Sequence, residues 1–185
     1  MGLLTWMRER GTRRRAAERL YFAAVGAARQ PAVYAALAVP DSVDGRFDMI
    51  ALHVHLLLRR LRQLGSAGQA LGQELVDVMV ADMDRSLREM GVGDLSVGRQ
   101  VKRMVKAFYG RGRAYDQAFG GDLADLHAAL ARNLYRGQPV AGAVLAAAGR
   151  YARAAERKHA GLASEALLSG VIEATQISVS PPGDD

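Results

Sequence analysis

DGRFDMIALHVHLLLRRL, residues 44–61, decides the fold. Phe47, Ile50, Ala51, Val54, Leu57, Leu58 and Leu61 recur three and four residues apart, the spacing of one helical face rather than the alternation of a strand. Leu52 and Leu56 fall on the opposite side. A helix that is apolar nearly all round is one that other elements surround. The stretch is therefore expected to be the central helix of a bundle, with Asp44 as its N-cap after a turn from Asp41 to Gly45.

The same periodicity continues in both directions. Upstream, a helix is expected from about Arg13 to Ala28, then a short one that Pro31 opens and Pro40 stops. Downstream, Gly65 to Gly68 reads as a loop, and a helix from about Ala70 to Met90 stacks Leu75, Val76, Met79, Met83, Leu87 and Met90 on its inner face, with Gly91 as a left-handed cap. Ser96 is the expected cap of the next helix, whose stripe runs Val97, Val101, Met104, Val105, Phe108, Gly112, Tyr115, Phe119. Gly112 on that stripe predicts a close helix approach. Asp122 caps a helix carrying Leu123, Leu126, Leu130 and Leu134. A further helix spans about Val140 to Lys158, and Leu162 to Ala174 adds a last helical segment. No run of β-branched residues alternates as a strand does. The class is all-α: a single-domain helical bundle of about six to eight helices, with an Arg-rich N-terminal segment (1–20), a helical domain (21–175) and a flexible C-terminal tail (176–185).

Composition narrows the function. A chain of 185 residues buries a core without staples, and the absence of cysteine excludes disulfides, thiolate metal sites and cysteine nucleophiles. The net charge of +6 favours anionic neighbours. No run reaches the ~18 to 20 apolar residues of a membrane span. At the N-terminus Leu3, Leu4, Trp6 and Met7 precede Arg8, Arg10, Arg13, Arg14 and Arg15, the reverse of a secretory signal. That segment is either a frayed end or an interfacial anchor with Trp6 at the headgroups. The expected location is cytoplasmic, with peripheral attachment to the inner membrane open.

Catalytic and metal readings find little support. His53 and His55 point about 200° apart on a helix and do not share an ion, and the same holds for Asp82 and Asp84. Glu156 and His159 match the Glu-x-x-His unit of di-iron bundles, but no second unit exists. No cofactor is expected. Two features stand out. Asp82 falls inside an apolar sector and needs a partner, with Arg46 the first candidate and His53 the second; its expected role is to fix helix docking. Arg99, Lys102, Arg103, Lys106 and Arg113 lie within roughly a 100° sector opposite the apolar stripe, a basic ridge that is either a solvated face or a dock for phosphates of RNA or lipid.

Several segments resemble the ubiquinol-cytochrome c chaperone family: Arg29-Gln30-Pro31, Val39 to Asp48, Asp82 to Asp94, Phe108-Tyr109-Gly110-Arg111 and Arg132-Asn133-Leu134-Tyr135. The resemblance implies a non-enzymatic assembly factor for the cytochrome bc1 complex (respiratory complex III), whose mitochondrial members act as a chaperone for newly made cytochrome b close to the ribosome and inner membrane. The short, Arg-rich chain looks like a bacterial member. On this reading the partner is cytochrome b or another bc1 subunit, met by Asp41, Gly45, Arg46 and Phe47 of the turn and by Arg88, Glu89, Gly91, Gly93 and Asp94 of the helix break. The basic ridge would face ribosome or membrane. The alternative, which needs no resemblance, is a peripheral membrane or RNA-binding adaptor.

Overall fold

A computed structural model describes residues 3–172, with side chains from residue 7 onward. The Trp6 side chain and the tail from residue 176 lie outside the described residues. Within them the chain forms eight helices: α1 Leu3–Ala28, α2 Pro31–Leu37, α3 Val43–Arg62, α4 Gly65–Glu89, α5 Asp94–Gly120, α6 Leu123–Asn133, α7 Gly142–Ala160 and α8 Ser164–Ser169.

As its pattern demands, α3 is central. It packs against α1, α4, α5 and α7, and it is buried without interruption from Phe47 to Leu57. The remaining helices close the bundle: α6 between α5 and α7, α2 on α7, and α8 on α1 and α4. Gly112 permits the close approach of α5, since a Cβ there would lie 2.9 Å from the Nδ1 of His55 on α3. At the start of α6 the Asp122 carboxylate accepts from the backbone N–H of Asp125.

Four local expectations need correction. First, α1 starts at Leu3, not Arg13; arginine is a good helix former, and one Gly11 costs only about 1 kcal/mol. Second, Ser42 rather than Asp44 caps α3, its hydroxyl accepting from the Gly45 N–H at 3.1 Å. Third, Gly65 to Gly68 is no loop but the first turn of α4. The glycine at 68 serves the hairpin, because a Cβ there would come 2.1 Å from the Leu61 carbonyl oxygen. Fourth, α5 begins at Asp94 with Gly93 at the cap position, so Ser96 already lies inside it. Leu123, read onto the α6 stripe, is 55% exposed.

Candidate functional site

Four helices enclose a groove of about 620 Å³. Tyr21 of α1 and Arg29 just beyond its end form one wall, Val43 to Ile50 of α3 another, Met79 to Glu89 of α4 a third, and Gln100 to Arg111 of α5 the last. Its lining is rich in methionine: Met79, Met83, Met90 and Met104 are four of the chain's seven. Met79 and Met83 are buried in the floor, whereas Met90 at 50% and Val43 at 58% exposure form the lip. Methionine is unbranched and polarizable, so such a surface adapts its shape to an apolar occupant.

One wall is fixed by a buried charge cluster. Asp48 is fully buried, and one carboxylate oxygen accepts from Arg136 Nε at 2.8 Å while the other lies 2.9 Å from Arg111 Nη2. Burial pushes the Asp48 carboxyl above the usual carboxylate range, against the pull of Arg136 and Arg111. Arg136 also reaches Asp44 at 2.7 Å. It does so from a left-handed backbone (φ 55), a conformation that a side chain of this size rarely adopts and that the two ion pairs hold in place. Arg111 lies 5.6 Å over the ring of Phe47. Nearby, the buried Tyr135 hydroxyl donates to the Leu37 carbonyl at 2.7 Å, tying the end of α2 to the segment after α6.

The opposite wall carries Asp82. Its partners are Arg85, one turn further along α4, and the Tyr21 hydroxyl of α1, which donates at 2.7 Å. Burial, and then the adjoining Asp82 carboxylate, push the Tyr21 hydroxyl well above the ordinary tyrosine range. The expected contacts with Arg46 and His53 are not made. Arg46 pairs with Asp41 at 2.6 Å, and His53 bonds the Tyr151 hydroxyl at 2.8 Å in the core. An arginine does meet Asp82, but a local one.

The candidate contact residues separate into two groups. Arg46, Phe47 and Glu89 line the groove. Gly45 is occupied structurally, since a Cβ there would come 2.0 Å from the Pro40 carbonyl oxygen. Arg88 joins the two helices across the break, pairing with Asp84 at 2.7 Å and with Asp94. Gly91 (φ +81) closes α4 in a Schellman motif: its N–H bonds the Arg88 carbonyl, and that of Val92 bonds Leu87. Gly93 caps α5. All five ridge residues, Arg99, Lys102, Arg103, Lys106 and Arg113, are exposed, and only Arg103 also lines the groove.

The other candidates belong to the core. His55 Nε2 lies 3.2 Å from Asp116, which also holds Arg59 and Arg62. Glu156 pairs with Arg59 and Arg153, and His159 bonds the Ala155 carbonyl. Among the described residues no group of three or more His, Asp or Glu side chains is arranged to hold a metal ion. None of their helices is long and apolar enough to cross a membrane. Sequence reasoning missed Asp48, Arg111 and Arg136 as one cluster. Asp48 and Arg111 lie in segments that carry the family resemblance, and Arg136 directly follows another.

A crystal structure titled as the Cbp3 homolog from Brucella abortus superposes with a TM-score of 0.80 at 34% identity, over 95% of this chain and 97% of that one. A Xenopus laevis protein named ubiquinol-cytochrome-c reductase complex assembly factor 1 is 29% identical over 123 residues, 66% of this chain and 62% of its own length. The mouse protein of that name is 30% identical over 97 residues, covering 52% of this chain and 33% of its own. The chain thus spans between a third and two thirds of these animal relatives. The model of the family described as ubiquinol-cytochrome C chaperone matches residues 35–174, and the chain belongs to that family.

Proposed function

We propose that this protein is a non-enzymatic assembly chaperone for the cytochrome bc1 complex, and that the methionine-lined groove holds an apolar helical segment of newly made cytochrome b. One observation carries the reading. Segments far apart in sequence that resemble the family, 39–48, 82–94 and 108–111, all supply lining residues to the same groove. A chaperone must hold an apolar segment without fixing one geometry, and adaptable methionines on a frame held by a buried charge cluster suit that task. Helix-in-groove recognition reads apolar anchors three and four residues apart. A client helix pressed against the Met90 and Val43 lip would bury them. Arg29 and Arg103 at the rim, which have no ion pair among the described residues, favour a carboxylate beside those anchors.

Deletion is expected to lower assembled bc1 complex and spectroscopically detectable cytochrome b. A photo-crosslinker at position 43 or 90 is expected to capture cytochrome b in growing cells. Normal cytochrome b in the deletion strain would overturn the assembly role, and capture of a different bc1 subunit would reassign the client. The adaptor reading rests on Trp6 in the sequence and on the exposed basic ridge alone; it accounts for neither the groove nor the convergence upon it.

A further inference from the structure

The face of α5 turned away from the core has a composition that the groove does not explain. Arg99, Lys102, Arg103, Lys106 and Arg113 share one sector with Leu95, which is 93% exposed, and no acidic residue falls within it. The only two carboxylates on α5, Asp94 and Asp116, fall outside the sector, roughly 80° and 40° beyond its nearer edge by helical geometry, and both are engaged by other cations, Asp94 by Arg88 and Asp116 by Arg59 and Arg62. Lys102, Arg103, Lys106 and Arg113 have no ion pair among the described residues. A helix face that serves only solubility mixes both signs of charge. This one carries a single sign and ends in a bare leucine.

We propose that this face docks flat on a bilayer containing anionic phospholipid, with the cations against headgroup phosphates and Leu95 inserted at the acyl boundary. Charge alone would serve RNA equally well, because both polymers and bilayers present phosphates. Leu95 separates the two, since an extended apolar side chain gains nothing from a duplex backbone but is stabilised in the interfacial region. Tyr109, 48% exposed on the shoulder of the same face, has the amphipathic ring favoured at headgroup level. The proposal is independent of the client in the groove: it concerns where the chaperone sits, not what it holds.

The test uses the full chain and flotation with phosphatidylcholine vesicles, with and without phosphatidylglycerol. Binding is expected only with phosphatidylglycerol and is expected to weaken as salt rises. Lys102→Glu with Lys106→Glu, which avoids the groove residue Arg103, is expected to lower the affinity at least roughly tenfold. Arg132→Glu with Arg157→Glu changes net charge equally on exposed positions of α6 and α7 and is expected to bind as the parent does. Leu95→Ser is expected to weaken vesicle binding several-fold and to leave binding to a duplex RNA fragment unchanged. Vesicle binding without phosphatidylglycerol dependence, an equal loss in the α6 and α7 control, or an unaffected Leu95→Ser variant would overturn the proposal. Ridge-dependent binding to RNA but not to vesicles would overturn it in favour of a nucleic-acid dock. Thermal melting of each variant separates loss of binding from loss of fold.

Discussion

At the scale of single residues, the carboxylate that matters most is Asp48, not Asp82. Helical periodicity singled out Asp82 because it breaks an otherwise apolar face. It could not single out Asp48, since α3 is apolar on every side and no face marks the exception. The partner Arg136 lies 88 residues away, a pairing that only the closed bundle creates. Removing one member of a buried pair leaves the others uncompensated, so Asp48→Ala is expected to destabilise the fold by about 3 kcal/mol, the lower end of the usual range because Arg136 is half exposed to screening solvent. Urea unfolding of the two proteins measures this directly, and a loss below about 1 kcal/mol would show that the cluster does not hold the wall.

The buried histidines give a second prediction. Burial lowers His53 to about 3, with His159 adding repulsion. Burial likewise lowers His55 to about 4, Asp116 opposing the shift and Arg62 and Arg59 assisting it. Both are neutral in the folded state at pH 7, where an unfolded histidine, near 6.5, is mostly neutral too. Below that value the unfolded chain takes up protons that the folded one refuses, so stability falls as pH falls from about 6.5 toward 4. The expected loss at pH 5 is about 2 kcal/mol per histidine. Asp48, raised by burial, titrates in the opposite sense and offsets part of the loss near the bottom of that range. Burial lowers the buried His159 as well, so three histidines share the effect and His53→Gln is expected to remove roughly a third of the slope of Tm against pH; an unchanged slope would place the titrating groups elsewhere.

At the scale of elements, the helices themselves were legible and their ends were less so. Periodicity located the long central helices because burial imposes it on their inner faces, whereas Pro31 and Pro40 marked α2, the exposed start of α1 carried no such signal, and the last segment, expected over Leu162 to Ala174, is helical from Ser164 to Ser169. Ends depend on a few backbone groups, and the same residue type serves opposite purposes there. Glycine shows this best. At 91 it ends a helix by adopting a left-handed φ, as its place after the apolar run suggested. At 68 it lies inside a helix and lets two elements touch, which no local pattern distinguishes from a loop. Gly91→Ala is therefore expected to cost about 1 kcal/mol, through left-handed strain in the Schellman turn. In a protein of this length that corresponds to a fall in Tm of roughly 2–4 °C. Differential scanning calorimetry reads it, and a neutral result would mean that the turn relaxes into another cap.

At the scale of the whole molecule, the candidate site was legible as scattered segments and not as a cavity. The turn at Asp41 to Phe47 and the break at Arg88 to Asp94 were both marked as contact regions, and the fold brings their neighbourhoods to one groove. Only part of each faces the space, because Gly45, Arg88, Gly91 and Asp94 are engaged in holding the walls. The methionine lining stayed hidden, since a methionine on an apolar stripe reads as core whether or not the core is complete around it. The floor and the lip should therefore respond differently to substitution. Changing Met79 or Met83 disturbs a packed interior and damages the fold. Changing the exposed lip does not: Val43→Glu with Met90→Glu is expected to move stability by less than about 1 kcal/mol, as surface substitutions do. Yet it places two carboxylates where an apolar client segment must lie; burying them against that segment is costly, and any pairing with Arg29 or Arg103 takes those cations away from the client. A strain carrying this variant in place of the parent is expected to contain normal amounts of folded protein and little assembled bc1 complex. Measured together, protein level, Tm and cytochrome b absorbance distinguish a blocked groove from an unfolded chaperone, and normal bc1 levels in that strain would remove the groove from the function.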